Sequence, residues 1–487
     1  MTPLWTWIAL ALTILTWLIP FVMLFIVPVN RKPSSATAWM LLIFAFPWPG
    51  LILFLLLGSP KLSSRRLAIQ KEINGYIRQL VAQAQAAPET RPLLAPDIPA
   101  RYRPFVDLSA ALGALPATAE NGVEILTDYD AILARLAADI DAARSFVHVQ
   151  FYILIADAAT EECFRAMERA VARGVAVRAL YDPVGSRKYP PYRATLRRMR
   201  AAGINACPML PLYRLDDVNR PDLRNHRKIV VIDGEIAYTG SLNLIHRAYH
   251  RRDNLYYDEL VARVRGPAVD ALDAVFRTDW YSETGQRLAD PDDPLGAMTF
   301  TPGGSSLCQV LPSGSGFERE NNLRLFVDLI HAAREKLVIC NPYFVPDEAL
   351  MMAVISAALR GVEVTMFNSE ARDQFLVAYA QRSYYEELLR AGVKIRLYYS
   401  PILLHTKTIS VDDDIAVIGS SNMDMRSFEL NLEVTLLCYD PRVVADLRRA
   451  EADYAARSRE LTLEEWRRRP LHQRLFENLT RLMSPLL

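Results

Sequence analysis

Cysteine is scarce in this chain, and the few cysteines show none of the spacings that bind metal. Only five occur among 487 residues, and no two of them form a CxxC pair. An odd number without such spacing argues against a disulfide framework and against a zinc site. We therefore predict buried free thiols in a reducing compartment, and no metal centre.

An excess of charge of one sign is also absent. The chain has 56 basic and 55 acidic residues. Proteins that bind nucleic acid through its phosphates usually carry a basic excess, so the composition predicts no nucleic-acid partner. The length exceeds what a single hydrophobic core usually holds, which predicts two or more domains.

No charged side chain precedes Arg31, and two apolar runs dominate the first 60 residues. The first run, 4–27, is long enough to span about 30 Å of hydrocarbon. The second run, 38–57, is interrupted by the sequence PWPG, which membrane helices tolerate. We predict that residues 1–60 form a transmembrane helical hairpin. The alternatives are a cleaved signal peptide for the first run and a re-entrant or interfacial segment for the second.

Basic residues near the two runs predict the topology. The short loop between the runs carries Arg31 and Lys32, and a larger basic cluster follows the second run (Lys61, Arg65, Arg66 and Lys71). Cytoplasmic flanks carry the excess of lysine and arginine. We therefore predict a multi-pass protein of the inner cell membrane, with the bulk of the chain and its first residue on the cytoplasmic side.

The rest of the chain repeats one order of elements. Residues 140–154 (IDAARSFVHVQFYIL) match 330–345 (IHAAREKLVICNPYFV), and 170–180 match 357–366. In each of these units a helix ends, in the second match at a glycine, and a β-rich apolar strand follows. This order predicts a parallel α/β core.

Two similar α/β domains related by pseudo-twofold symmetry follow from this repeat. The predicted divisions are the membrane segments in 1–60, a juxtamembrane helix and linker in 61–120, the first domain in 121–290, the second domain in 305–450 and a C-terminal tail in 451–487. The tail places leucines at helical spacing among arginines, which predicts a basic amphipathic helix, on an anionic membrane or packed on the domain.

The clearest match comes last in each half. HRKIVVIDGEIAYTGSLN begins at 226 and HTKTISVDDDIAVIGSSN begins at 405. The shared pattern is HxKxxxxD, then six residues, then GSxN. Its members are His226, Lys228, Asp233, Ser241 and Asn243 in the first half and His405, Lys407, Asp412, Ser420 and Asn422 in the second.

Local geometry predicts how these motifs present their side chains. Histidine and lysine are two residues apart on a predicted strand, so they point to the same face. Folded together, the halves would line one pocket with two imidazoles, two ammonium groups and two amides. Asp233 and Asp412 lie where a β-hairpin needs a turn residue, so a structural role stands beside the catalytic one that their place in the motif suggests.

Such a pocket suits a phosphodiester. Lysines neutralise the non-bridging oxygens, while serine and asparagine supply further donors to the substrate. One neutral imidazole can attack phosphorus and the other, protonated, can donate to the leaving alcohol. Because the lysines supply the positive charge, we predict no cofactor.

The paired HxKxxxxD motifs resemble those of the phospholipase D superfamily. The resemblance implies that one histidine is the nucleophile and the other the general acid; by similarity we assign His226 and His405 to these roles, with the reverse order open. It also implies a carboxylate behind each histidine. Glu433 fits in the second half, and Glu259 in the first, where the adjacent Asp258 is the alternative.

Further stretches are similar to the bacterial cardiolipin synthase family, and together they cover nearly the whole chain. They are the N-terminal apolar segment, NPYFVPDE at 341–348, NMDMRSFELNLE at 422–433 and the C-terminal tail. The resemblance implies transfer of a phosphatidyl group from one phosphatidylglycerol to another, through a phosphohistidine, with release of glycerol. The alternatives are a membrane-bound phospholipase D that uses water as acceptor, a nuclease and a non-catalytic scaffold.

Overall fold

The computed structural model describes residues 4–29, 31–58, 62–212, 220–250, 254–288, 300–317 and 319–484. The chain begins with three apolar helices and three further helices that lead to the first strand. They are α1 (Leu4–Ile26), α2 (Pro33–Ala45), α3 (Pro47–Leu57), α4 (Ser64–Ala86), α5 (Arg91–Leu94) and α6 (Arg103–Gly113). Within the described ranges, α1 is the one helix that is long and apolar enough to cross a membrane.

The first half of the repeat contains eight strands and five helices. They are β1 (Ala117–Leu126), α7 (Tyr129–Asp141), β2 (Phe146–Phe151), α8 (Glu161–Ala172), β3 (Ala176–Tyr181), α9 (Pro183–Ser186), α10 (Tyr192–Ala201), β4 (Asn205–Pro208), β5 (Ile229–Ile232), β6 (Ile236–Gly240), β7 (Tyr256–Asp258), β8 (Val261–Arg265) and α11 (Ala268–Thr284).

The second half follows a similar order and leads into two short C-terminal helices. Its elements are β9 (Ser306–Ser313), α12 (Asn321–Ala332), β10 (Lys336–Cys340), β11 (Phe344–Val345), α13 (Glu348–Leu359), β12 (Glu363–Ser369), α14 (Phe375–Arg390), β13 (Lys394–Tyr398), β14 (Ile402–Leu404), β15 (Thr408–Val411), β16 (Ile415–Gly419), β17 (Met423–Asp424), α15 (Met425–Glu429), β18 (Glu433–Tyr439), α16 (Pro441–Ala456), β19 (Ser458–Leu461), α17 (Leu463–Arg467) and α18 (Leu471–Arg481).

Both halves contribute to one continuous sheet. The strand order is β19-β13-β12-β10-β15-β16-β18-β9-β1-β8-β6-β5-β2-β3-β4, and the antiparallel pair β9–β1 joins the halves at the centre. Because β19 pairs with β13, the sheet includes part of the segment that the sequence analysis assigns to the tail. It likewise begins at Ala117, a few residues before the predicted domain boundary.

The sheet is mixed, which corrects the expectation of a parallel core. The helix–glycine–strand units do give parallel strands, β2-β3-β4 in one half and β10-β12-β13 in the other. The motif strands add antiparallel pairs, because Asp233–Gly234 turns β5 back into β6 and the acidic turn at Asp412 does the same for β15 and β16. Tight turns of this kind join antiparallel neighbours, as the motif predicts.

Helices cover both faces of the sheet, so the motif strands are buried on both sides. One apolar layer joins the strands to α11 and α16, and it runs across the boundary between the halves. On the other face, α7 and α8 cover the first half, while α6, α12, α13 and α14 cover the second. The β-branched run at 229–232 is fully buried, as expected for a strand packed on both faces.

The second apolar run does not form one long helix. The ring centroids of Trp39 and Phe54 are 5.4 Å apart, although a straight helix would separate these positions by roughly 22 Å. Phe46, with φ −139° and ψ 77°, breaks the run before Pro47, as the residue before a proline often does. Helix α3 therefore folds back along α2, in place of the single second crossing that the sequence predicts.

The three apolar helices pack on one another. Trp48, at the turn between α2 and α3, donates a hydrogen bond of 2.9 Å from Nε1 to Thr16 Oγ1 in the middle of α1. A Cβ at Gly50 would lie 2.8 Å from the Ile43 Cα, so only glycine permits this approach of α3 to α2. The turn thus reaches about halfway along α1.

Two basic residues attach the N-terminal helices to the domains through ion pairs. Lys32 Nζ, between α1 and α2, lies 2.7 Å from Glu320 and 3.0 Å from Glu429 in the second half. Arg66, on α4, contacts Glu283 of α11 at 2.8 Å, with both side chains buried. The segment that joins α1 to α2 therefore lies against the second half of the repeat.

Candidate active site

Each motif histidine is held by backbone hydrogen bonds from the opposite half. The His226 amide donates to the Leu432 carbonyl at 2.8 Å, and the His405 amide donates to the Asp258 carbonyl at 2.8 Å. Strands β14 and β7 pair in parallel directly before His405. Each histidine consequently lies beside the residue that follows its acceptor in the other half, Glu433 or Glu259.

The two imidazole–carboxylate pairs cross the boundary between the halves. His226 Nδ1 lies 2.9 Å from Glu433 Oε1, and His405 Nδ1 lies 2.8 Å from Glu259 Oε1. All four side chains are buried. The carboxylates accept from Nδ1–H, which leaves Nε2 of each ring free to meet a substrate.

Asp258, the alternative to Glu259, points elsewhere. Its carboxylate accepts hydrogen bonds from Arg247, from Tyr398 at 2.7 Å and from Arg457 at 3.1 Å. The neighbouring Glu259 is the residue that contacts His405. Alternation of side chains along an extended segment explains why two adjacent carboxylates face opposite ways.

The motif lysines lie beside their histidines. Lys228 Nζ donates to the His226 carbonyl at 2.7 Å, and Lys407 Nζ donates to the His405 carbonyl. Burial lowers the pKa of Lys228 to about 7 and that of Lys407 to about 8, against the attraction of the two glutamates. A bound anion would restore the full positive charge of both groups.

The surroundings of the two imidazoles also lower their pKa values. Burial lowers the pKa of His226, while the Glu433 carboxylate opposes this effect. Burial puts the pKa of His405 well below its usual range, and the positive charges of Lys407 and Lys228 lower it further. Burial raises the pKa of Glu259 to about 7. Because each histidine feels the charge of the other half's lysine, the two motifs share one electrostatic environment.

The hydroxyls of the motif serines face the carboxylates of Glu433 and Glu259, whereas the motif alone predicts that they bind the substrate. Ser420 Oγ donates to Glu433 Oε2 at 2.5 Å and accepts from the Val434 amide at 3.0 Å. Ser241 Oγ accepts from the Leu260 amide at 2.9 Å, directly after Glu259. With their hydroxyls engaged in this way, the serines fix the glutamates that contact the histidines.

The two asparagines occupy different environments. Asn243 Oδ1 accepts from the Ile153 amide at 3.3 Å, and its Nδ2 donates to the Tyr249 hydroxyl at 3.5 Å. Asn422 Oδ1 is buried and has no hydrogen-bond partner within the described residues. The amide of Asn422 is thus the freer of the two to bind a substrate.

The motif aspartates accept hydrogen bonds from backbone amides at the hairpin turns, which favours the structural role over the catalytic one. Asp233 Oδ1 accepts from the amides of Ser145 and Phe146 at 2.8 and 2.9 Å. Asp412 Oδ1 accepts from those of Glu335 and Lys336 at the same distances. A four-residue strand, about 13 Å long, separates each aspartate from its lysine. Both residues have positive φ, as a tight turn requires.

Tyrosines surround the imidazoles, and the sequence analysis did not assign them to the site. The rings of Tyr152 and His226 are 5.2 Å apart, those of Tyr257 and His405 are 5.4 Å apart, and both pairs are edge-to-face. Tyr343 lies 6.5 Å from His405. The features of the sequence that contain two of these tyrosines are the LYYDE and NPYF segments. Neither segment has a spacing that would assign its tyrosines to the site.

Comparison with known proteins identifies the family of the chain. The family model described as "Cardiolipin synthase, PLD-like domain" matches residues 136–280 and 326–452, more than half of the chain. Cardiolipin synthase A of Proteus mirabilis (strain HI4320) is 35% identical over 97% of both chains. Cardiolipin synthase A of Serratia proteamaculans (strain 568) is 35% identical over 98% of this chain and 99% of its own.

Among solved structures, phosphatidylserine synthase of Haemophilus influenzae Rd KW20 has a similar fold. It covers 80% of this chain and 100% of its own, with a TM-score of 0.61 and 16% identity. At that identity the likeness concerns the fold alone. The match to the family model and the full-length relatives show that the chain belongs to the cardiolipin synthase family of phospholipase D-like proteins.

Proposed function

We propose that this phospholipase D-type phosphatidyltransferase is a cardiolipin synthase, which joins two phosphatidylglycerols and releases glycerol. The observation that carries the proposal is the crossed pair of imidazoles, each backed by a glutamate of the other half and flanked by a lysine. Only a folded arrangement of both halves completes either pair. Such a site offers a nucleophile, an acid and positive charge to one phosphodiester.

In the first step, His226 Nε2 attacks the phosphorus of one phosphatidylglycerol. The bond from phosphorus to the glycerol oxygen breaks, and that oxygen takes a proton from His405 Nε2. His405 and Glu259 together can carry this proton, because burial brings the pKa of Glu259 to about 7 and the bound phosphate favours a charged imidazole. Lys228 and Lys407 stabilise the charge that grows on the non-bridging oxygens.

In the second step, the hydroxyl of a second phosphatidylglycerol attacks the phosphohistidine. Its proton passes to His405 Nε2, its oxygen bonds to phosphorus and the bond to His226 breaks. Ser241 and Ser420 hold the two glutamates, Asn422 binds a phosphate oxygen, and Asp233 and Asp412 serve the fold. The reaction draws its positive charge from lysines, so the proposal includes no metal and no cofactor.

A pseudo-twofold relation between the halves would explain the site. Equivalent strands follow one another outward from the central β9–β1 pair, in the order β8-β6-β5-β2-β3-β4 on one side and β18-β16-β15-β10-β12-β13 on the other. The crossed histidine–glutamate pairs have the same form in both directions. Both observations support an axis that passes between the two imidazoles.

We further infer that α1 crosses the inner membrane and that α2 and α3 form a re-entrant pair. The support is the contact of Trp48 with the middle of α1 and the return of α3 to Arg31, whose guanidinium lies 5.1 Å from the Phe54 ring. The basic residues then lie on one side with the catalytic domains, which favours the cytoplasm. The start of α1 then lies on the opposite side, in contrast to the hairpin prediction. Anionic phospholipids are the expected membrane partners.

Turnover of phosphatidylglycerol by purified protein, without divalent metal, tests the proposal. Cardiolipin and glycerol in equal amounts are expected; phosphatidic acid as the main product would instead indicate a hydrolase. His226→Ala and His405→Ala should each lower the rate by roughly 10⁴-fold or more, as for catalytic groups that act as a unit. After a quench in denaturing detergent at neutral pH, which spares the acid-labile nitrogen–phosphorus bond, His405→Ala should retain a lipid-derived phosphohistidine that His226→Ala lacks; the opposite result would exchange their roles.

A further inference from the structure

A polar cavity of about 230 Å³ opens beside His405. Tyr343 and Asp373 line it, and so does Leu403, two residues before the histidine. The Tyr343 ring is 6.5 Å from the His405 ring, and the charge of Asp373 acts on both His405 and Lys407. The cavity therefore adjoins the imidazole that we assign as the acid, on the second half of the molecule.

Two tyrosines orient Asp373 at the inner end of the cavity. The hydroxyls of Tyr343 and Tyr257 both donate to Asp373 Oδ2, the second at 3.3 Å. Tyr257 is itself fixed by a stacked Tyr249 at 4.0 Å. Oδ1 accepts no hydrogen bond from the residues that the structure describes, and the side chain is half-buried. An oriented carboxylate with one open oxygen can accept a hydrogen bond from a ligand hydroxyl.

An exposed arginine of the cavity lining and, beyond it, an apolar surface lie next to Asp373 in the chain. Arg372, which is exposed, lines the rim and stacks on Tyr379 at 5.4 Å. Phe375, at 63% exposure, follows at the start of α14 and packs on Phe476 of α18 at 5.7 Å. Leucines 471, 475 and 479 are exposed on that helix. The hydrogen-bond acceptor Asp373, the cationic Arg372 and the apolar surface therefore follow one another in the same order as the headgroup, the phosphate and the acyl chains of a phospholipid.

We propose that this cavity binds the glycerol headgroup, with Asp373 accepting a hydrogen bond from a glycerol hydroxyl and Arg372 contacting the acceptor lipid's phosphate. This inference rests on the proposed function and adds its acceptor subsite. The leaving glycerol and the attacking headgroup occupy the same place in turn. When the headgroup attacks, its hydroxyl proton passes to His405 Nε2, its oxygen bonds to phosphorus and the phosphorus–His226 bond breaks. A filled cavity also keeps water from that bond.

Free glycerol and phosphatidylglycerol offer the same kind of hydroxyl group to the phosphohistidine, but only the lipid also carries a phosphate and acyl chains. A comparison of these two acceptors therefore separates binding of the headgroup from binding of the rest of the lipid. Purified protein in vesicles of phosphatidylglycerol is given labelled free glycerol, and we measure cardiolipin, phosphatidic acid and labelled phosphatidylglycerol. In Asp373→Asn, the ratio of cardiolipin to phosphatidic acid should fall roughly tenfold, and the glycerol concentration for half-maximal exchange should rise by a similar factor. Arg372→Ala should lower cardiolipin formation while leaving exchange with free glycerol unchanged.

Glu363→Gln is the matched control, because Glu363 is exposed at the opposite end of β12 from the cavity. Tyr343→Phe removes one hydrogen bond to Asp373 and should shift the product ratio in the same direction by a smaller factor, so it decides the matter if Asp373→Asn fails to fold. Unchanged ratios in both variants, or an equal change in Glu363→Gln, would overturn the subsite. Absence of cardiolipin from the unaltered protein would instead contradict the proposed function, and glycerol exchange would still test the cavity.

Discussion

The two halves of the repeat differ at two pairs of matched positions next to the motif histidines. In the first half, Asp182 follows β3 and accepts from the Asn225 amide at 3.1 Å; in the second, Ser369 ends β12 and accepts from the Leu404 amide at 2.9 Å. Arg224 lies in the first half where the motif register places Leu403 in the second.

These differences change the side chains that lie next to each motif histidine. Asp182 and Arg224 form a buried ion pair at 3.4 Å, and the aspartate also binds two amides at the start of α9. Ser369 and Leu403 are shorter or uncharged, and they line the cavity next to His405. One backbone hydrogen bond is preserved in both halves, while the side chains around it form a buried ion pair in the first half and line a cavity in the second.

Among changes outside the two histidines, removing either crossed carboxylate should cause the largest loss of activity. Glu433→Gln and Glu259→Gln should each lower kcat by on the order of 10² to 10³, because the glutamine no longer holds a charged imidazole and can favour the wrong tautomer. Rapid-quench measurement should show that Glu433→Gln slows formation of the phosphohistidine. Asp258→Asn is the neighbouring control, and an equal loss there would argue that the whole segment, and not Glu259, supports His405.

Rebuilding the first half's ion pair in the second half should close the cavity. The double variant Ser369→Asp and Leu403→Arg should reduce cardiolipin formation by roughly tenfold to a hundredfold, because the glycerol headgroup loses its place. A thermal melt monitors the fold of the variant. Full activity in a folded double variant would show that the difference between the halves has no part in acceptor binding.

The shared electrostatics of the halves should appear in the pH profile. Since burial lowers the pKa of Lys228 to about 7 and that of Lys407 to about 8, both lysines are charged below these values and lose their charge as the pH rises. We expect kcat/KM for phosphatidylglycerol to fall severalfold between about pH 7 and pH 9. A profile that stays flat over this range would contradict the depressed lysine pKa values.

The turn aspartates should behave alike in both halves and affect activity least. Asp233→Ala and Asp412→Ala each remove an acceptor of several backbone N–H groups, so each should lower the free energy of unfolding by about 1–3 kcal/mol. Denaturant unfolding measures this loss. Turnover per folded molecule should stay within about twofold of the parent protein, whereas a catalytic aspartate would reduce it by orders of magnitude.

The sequence predicted the features that depend on local order. The motif hairpins at Asp233 and Asp412, the repeat and the pairing of histidine with lysine all follow from spacing along one strand. The crossing of Glu433 to His226 was not predictable, because it arises only when two distant segments pair. The same holds for the return of α3 along α2, where an apolar run gives no indication of direction.

The serines and the cavity show a second reason why the sequence alone does not predict the whole site. Ser420 has a hydroxyl that suits a phosphate as well as a carboxylate, and only the position of Glu433 decides between them. Asp373 belongs to no repeated motif, since the first half has no carboxylate at the matched position. A residue that makes one half differ from the other cannot be found by searching for what the halves share.

The exchange of carboxylates between the halves also constrains how such a chain can arise. One half alone would have a histidine without its glutamate, yet two identical copies facing each other would complete two equivalent pairs. Fusion of the copies into a single polypeptide removes the need for them to stay identical. Each copy can then diverge, as the ion pair of Asp182 with Arg224 in one half and the cavity beside Ser369 in the other illustrate.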